Sequence, residues 1–140
     1  EMCIRGRKMT EQEAECIRIR DIRRFVESGL GQRMKKAAMK KHLYREQPFV
    51  IQRNASMLDD GWKNETVLVQ GIIDAYFMEE EEIVLVDYKT DRVRRGQEQK
   101  LIDLYHVQLE DYARALERMT GKRVKEKIIY SFTLQKEILL

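Results

Sequence analysis

The sequence predicts an α/β domain built on a mixed sheet of about four strands flanked by helices, in the order α-α-β-β-β-α-β. Three observations predict it. The apolar period changes along the 140 residues from 3.6 to 2, back to 3.6 and again to 2. Near the end a strand, a long helix and another strand follow one another, a succession that asks for a right-handed crossover and a parallel pair. Hydrophobic residues make up 43% of the chain against one proline and seven glycines, which suits a packed core and excludes disordered and collagen-like classes. At this length a single domain over 1–140 is expected.

The elements follow in order. Thr10-Glu11-Gln12-Glu13 has the form of a capping box, and Ala14, Ile17, Ile22, Phe25 and Val26 recur at helical spacing, so a helix is expected from about 11 to 27. Ser28-Gly29 ends it. A second helix places Leu30, Met34, Ala37, Ala38 and Lys41 on one side and Arg33, Lys35, Lys36 and Lys40 on the outer one. From Leu43 the period changes, and the stretch to Ile51 reads as a strand whose Pro48 assigns it to an edge or an end. Residues 53–64 are polar and form a loop. Thr66 to Met78 and Ile83 to Lys89 are two β-rich runs joined by four glutamates, Glu79 to Glu82, as a solvated hairpin turn. After a loop over 90–98, the period of 3.6 returns from about Gln99 to Thr120 and stops at Gly121, a suitable left-handed cap. The run Ile128 to Leu134 closes the chain as a strand parallel to 83–89.

The charge is divided. Lys and Arg number 27 and Asp and Glu 24, for a net charge of +3, yet residues 1–45 carry 13 basic against 6 acidic side chains. A basic segment beside a carboxylate-rich remainder suits a phosphate backbone approaching an anionic metal site, and it equally suits a solvated helix face. No apolar run is long enough to cross a bilayer. Cys3 and Cys16 are too few for a disulfide framework and have no partners at metal-ligand spacing, which fits a reducing cytoplasm. The first residue is Glu1 rather than Met, and a piece of a longer chain is expected.

The hairpin carries the chemistry. With the turn centred between Glu80 and Glu81, cross-strand partners have numbers summing to 161, so Asp74 lies opposite Asp87 with Cβ atoms roughly 4.5–5.5 Å apart. Like charges so placed, with Gly71-Ile72-Ile73 and Val84-Leu85-Val86 around them, ask for a cation or a shared proton. Hard oxygen ligands favour Mg²⁺, with Mn²⁺ as a substitute, over Zn²⁺. The alternation of two puts Lys89 on the face of Asp87, where an ammonium can meet charge developing on a phosphate or orient the attacking water. On the long helix Leu101, Tyr105, Gln108, Tyr112, Leu116 and Met119 form one stripe, so Gln108 and Tyr112 are polar groups on an apolar face. Either they reach a ligand, or they sit at the margin of the stripe and reach water.

In that order, Gly71-Ile72-Ile73-Asp74, Val86-Asp87-Tyr88-Lys89-Thr90 and Gln108-Leu109-Glu110-Asp111-Tyr112 resemble the G-x-x-D, D-Y-K and Q-x-x-x-Y motifs of the RecB-like branch of the PD-(D/E)xK nucleases. Two further stretches, 28–34 and 43–49, are similar to the C-terminal nuclease domains found in one chain of bacterial ATP-dependent helicase/nucleases. The resemblance implies a restriction-endonuclease-like core and a Mg²⁺-dependent DNA exonuclease, fused behind a helicase and paired with a B subunit, acting in double-strand-break repair. It implies Asp74, Asp87 and the Tyr88 backbone carbonyl as metal ligands, Lys89 as the catalytic lysine, and Gln108 and Tyr112 as supports of the site or of DNA. Glu46 is a further carboxylate that either joins the metal or pairs with a basic neighbour.

The family's metal-binding His, in a Gly-Thr-x-x-His setting, has no counterpart, and His42 and His106 lack its context. The expected explanation is a fragment that begins downstream of that helix, which leaves the activity of the isolated form open. No G-x-x-x-x-G-K-[ST] occurs, so ATP belongs to a helicase part outside this sequence. Two cysteines exclude a four-cysteine iron-sulfur cluster. A free-standing exonuclease and a non-catalytic DNA-binding or scaffold module remain the alternatives.

Overall fold

In the computed structural model of the chain, residues 3–4, 7–8, 19–54 and 66–140 are described. The elements are β1 (Cys3–Ile4), β2 (Arg7–Lys8), α1 (Ile19–Glu27), α2 (Gly29–Met39), β3 (Leu43–Asn54), β4 (Thr66–Glu79), β5 (Glu82–Lys89), α3 (Glu98–Thr120), β6 (Val124–Ser131) and β7 (Lys136–Leu139). β1 and β2 pair with each other, and the other strands form one sheet in the order β3-β4-β5-β6-β7. Every neighbouring pair in it is antiparallel except β5–β6, which α3 connects in parallel as the strand–helix–strand succession predicts. The capping box at 10–13 and the loop residues 55–64 lie outside the described residues.

The sheet is packed on both sides. Phe49, Ile51, Ile73, Ile83, Leu85 and Ile129 lie under Leu101, Leu109 and Leu116 of α3. On the opposite side Ala75, Phe77, Val84, Val86, Ile128 and Tyr130 meet Leu30, Met34 and Ala37 of α2. In β5 this division follows the alternation of a strand: odd-numbered residues face α3 and even-numbered ones face α2.

In β3 and β4 the alternation slips. Phe49, Ile51 and Ile73 belong to the α3 side, whereas Leu43, Ala75 and Phe77, also odd-numbered, belong to the α2 side. The ladder between these strands runs from Leu43↔Phe77 to Arg45↔Ala75 and resumes at Gln47↔Ile73. Between these stand Glu46 and Asp74, and Glu46 has φ 50°, a left-handed conformation outside the range of a regular strand. The slip turns both strands over at the position of Asp74.

The helix junction is built from Ser28 and Gly31. Ser28 Oγ accepts the Gly31 N–H at 3.1 Å, capping α2, and its hydroxyl donates to the Phe25 carbonyl at 2.5 Å, closing α1. Phe25 packs edge-on against Tyr88 and Tyr130, but Ile22 and Val26 are exposed, contrary to the expected stripe. On α2, Ala38 and Lys41 also face solvent rather than the core; Lys41 lies past the helix end with φ 59°. Arg33 departs in the other direction. Its guanidinium is forked between Glu79 of β4, at 2.8 Å, and Glu126 of β6, at 2.6 Å, so it joins α2 to the sheet.

β7 adds a fifth strand. The run predicted to 134 ends at Ser131, and residues 132–135 turn the chain back so that Ile138 pairs with Ile129. Four residues with one buried side chain, Ile138, give too short a pattern to read as a strand. Gly121 caps α3 as expected, with φ 69° and its N–H donating to the Glu117 carbonyl at 2.9 Å. Met119, assigned to the α3 stripe, is exposed. No helix among the described residues is long and apolar enough to cross a membrane.

Candidate active site

The hairpin keeps the register that its turn dictates. Glu80 and Glu81 both have positive φ, 50° and 72°, as a two-residue turn matching strand twist requires. The ladder then runs from Glu79↔Glu82 to Ala75↔Val86, each pair summing to 161. The next position is Asp74 with Asp87, and there the ladder stops. Asp74 Oδ2 instead accepts the backbone N–H of Tyr88 at 2.9 Å, so a side chain takes the place of a backbone partner.

Both carboxylates are buried, Asp74 at 6% exposure and Asp87 at 0%. Neither oxygen of Asp87 has a hydrogen-bond partner, although Lys89 Nζ stands 2.6 Å from Oδ2 as an ion pair off the hydrogen-bonding direction. The carboxyl of Asp74 is pushed up to about 8. Burial is the main cause, followed by the charge of Asp87 and the contact with it, against the opposing Tyr88 N–H and Lys89. Burial beside a second acid thus favours the protonated form of Asp74. Two buried acids, one with unsatisfied oxygens and one held protonated, form a donor set suited to a hard divalent cation. Among the described residues no group of three His, Cys, Asp or Glu side chains gathers there. Glu46, exposed at its register position across from Asp74, is not brought into such a group. His106 Nδ1 contacts carbonyls of its own helix.

Lys89 lies at the end of β5 and is wholly buried. Besides Asp87, its Nζ donates to Gln108 Oε1 at 2.9 Å and lies 3.8 Å from the ring centroid of Tyr105. Gln108 therefore reaches the lysine, a partner that neither reading of the stripe gave it. Tyr112 is placed differently. It is buried and meets Phe49 edge-to-face at 5.1 Å, and Phe49 lies over Gly71, where a Cβ would come 2.9 Å from the Phe49 ring. The glycine of the G-x-x-D stretch thus admits an aromatic pair that wedges α3 onto the sheet. Beside Gln108 an open cleft of about 410 Å³ runs between α3 and β4, lined by Gln70, Gly71, Val107, Gln108, Asp111 and Tyr112 among others.

Two contacts had no sequence signal of their own. Asp111, inside the Q-x-x-x-Y stretch, is buried and pairs with Arg53 at 3.4 Å. Tyr105 belongs to the predicted stripe, but its ring beneath an ammonium and its hydroxyl, which donates to Asp91 Oδ2 at 2.7 Å, join segments that the linear pattern does not relate.

Comparison with known proteins shows the family. A model of the PD-(D/E)XK nuclease superfamily matches residues 6–138. The chain is 40% identical over 135 residues to the A chain of the ATP-dependent helicase/nuclease of Clostridium novyi, covering 93% of this chain and 11% of that one. Proteins of the same name from Acetivibrio thermocellus and Thermoanaerobacter sp. are 46% and 43% identical, each over 89% of this chain and 10% of their own. The chain spans about a tenth of the length of these curated relatives. Since the family match takes in every helix among the described residues and the whole of the hairpin that carries Asp74, Asp87 and Lys89, the chain belongs to the PD-(D/E)XK nuclease superfamily.

Proposed function

We propose that this domain is a metal-dependent DNA exonuclease. It hydrolyses phosphodiester bonds of a strand delivered by an ATP-dependent helicase of the same parent chain, within a heterodimer with a B subunit, in double-strand-break repair. The observation that carries the reading is the buried pair of acids beside a buried lysine, with the Asp87 oxygens lacking hydrogen bonds. The name of the relatives, which joins helicase and nuclease, supports the delivery of the strand.

Asp74 and Asp87 would hold Mg²⁺, or Mn²⁺ in its place, together with the Tyr88 carbonyl. In a strand the N–H and C=O of one residue point to the same edge. The Tyr88 N–H meets Asp74, so its carbonyl faces the same side. The bound ion supplies Lewis-acid polarisation of the phosphate and a water of lowered pKa. Lys89 presents an ammonium to the phosphate oxygen on which charge develops, or to the attacking water. Gln108 fixes the direction of Nζ by accepting one of its protons, and Tyr112 holds the helix that carries Gln108 against Phe49.

Asp87→Ala in the whole natural protein tests this. Losing a group that only orients a metal ligand costs about 10- to 100-fold in metal affinity or activity, so loss of a direct ligand should lower Mg²⁺-dependent cleavage by more than about a hundredfold. The melting temperature should fall while the fold is kept, because the buried Lys89 ammonium loses its ion pair along with the ligand. Saturable stabilisation by Mn²⁺ in a thermal melt, absent from the variant, is the companion result. Unchanged cleavage would sink the assignment. The basic α1–α2 segment also suits a non-catalytic DNA-binding module, which would bind with steep salt dependence and no need of metal.

A further inference from the structure

We propose that Tyr105 is a positioning residue for Lys89, with Asp91 as its anchor; the inference rests on the nuclease reading of the site. A lysine side chain is a flexible stem, and a buried ammonium must be met by groups that both compensate and aim it. Among the described residues, Asp87 Oδ2 at 2.6 Å, Gln108 Oε1 at 2.9 Å and the Tyr105 ring at 3.8 Å from its centroid face Nζ. The first is an acid that the nuclease reading commits to a metal. The other two are neutral and come from one face of α3, three residues apart.

The ring has a property that an oxygen ligand lacks. It attracts the ammonium through its quadrupole without delivering a compensating negative charge, so Nζ keeps its whole charge for a phosphate oxygen. The ring is held from outside as well. Its hydroxyl donates to Asp91 Oδ2 at 2.7 Å, and the backbone of Asp91 is itself tied down by Thr133 Oγ1, which donates to the Asp91 carbonyl at 2.7 Å. Donation from the phenol to a carboxylate also raises the electron density of the ring, which strengthens its hold on the cation. Strand end, loop and helix thus converge on the orientation of one side chain.

The test uses the whole natural protein, with Lys89→Ala as the control for the site. Tyr105→Leu should lower kcat about tenfold, with KM for DNA within about twofold, and Tyr105→Phe should stay within about threefold of the parent, the scale of one desolvated cation–π contact. Pentafluorophenylalanine at position 105 keeps the shape and inverts the quadrupole, and should behave like Tyr105→Leu. Acylation of Lys89 by a small activated ester, which loses its alcohol as the amide forms, should quicken in the same two variants when the metal-free protein is followed by mass spectrometry. A ring that serves only to pack would leave the pentafluoro form at the kcat of Tyr105→Phe, and that result overturns the proposal. If Lys89→Ala abolishes cleavage while Tyr105→Leu cleaves at the parental kcat, the positioning role fails and the site stands. If Lys89→Ala cleaves normally, the nuclease reading itself fails.

Discussion

Asp74 holds its proton in the folded chain to about pH 8, whereas an ordinary aspartate releases it near 3.8. In that window the metal-free folded state binds a proton that the unfolded state has lost. Stability therefore falls as pH rises through that window. Melts in chelator at pH 5 and pH 8 should show the decline, and Asp74→Asn should flatten it; an undiminished slope in the variant would mean that another group is responsible. A bound divalent cation would reverse the balance by taking the place of the Asp74 proton. The opposition of the two acids could be read from the numbering of the hairpin alone. The use of the Asp74 side chain as acceptor for the Tyr88 N–H could not, because it depends on the ladder ending one pair early.

Among the elements, the α1–α2 corner is the most tightly specified. A Cβ at Gly31 would overlap the Phe25 carbonyl oxygen and lie 2.6 Å from that of Val26, whereas one at Gly29 would meet nothing within 4 Å. Gly31→Ala should therefore cost about 3 kcal/mol, the upper range of overpacking, since helix backbone rather than a side chain has to move. Gly29→Ala should be neutral or stabilising by up to about 1 kcal/mol. Denaturant unfolding of the two variants separates them, and equal stabilities would refute the close approach. α3, the hairpin and the parallel β5–β6 pair were legible because each has a period or a turn that admits one reading. β7 was not, having one inward residue, and Arg33 was not, because a helical wheel places a charge outward without showing the two glutamates above it.

For the whole molecule, that arginine joins the helical layer to two strands of the sheet. Glu79 is held well below the ordinary carboxylate range, at about 2, chiefly by its hydrogen bonds from Arg33 and with help from Lys125. Since the folded value lies below the unfolded one, this stabilisation is present above pH about 4.5 and lost as pH falls toward 2. The guanidinium is about 30% exposed, so the loss should be nearer about 1 kcal/mol than the full linkage value. Arg33→Met should remove that acid limb, and an unchanged limb between pH 5 and pH 2.5 would assign it elsewhere. The two-sided packing was implicit in the apolar runs of β5, but the slip at Glu46 and Asp74 was hidden, because a non-glycine residue in the left-handed region carries no local sign.

The two-residue turn at Glu80 and Glu81 has a consequence for how such a chain tolerates insertion. Surface turns ordinarily absorb changes of length at little cost. Here five ladder pairs carry the count of the turn inward to the two aspartates. One residue added and taken up by the pairing would offset Asp74 from Asp87 by a step and present it to the wrong side of the sheet. The identity of the glutamates is free to drift; their number is not.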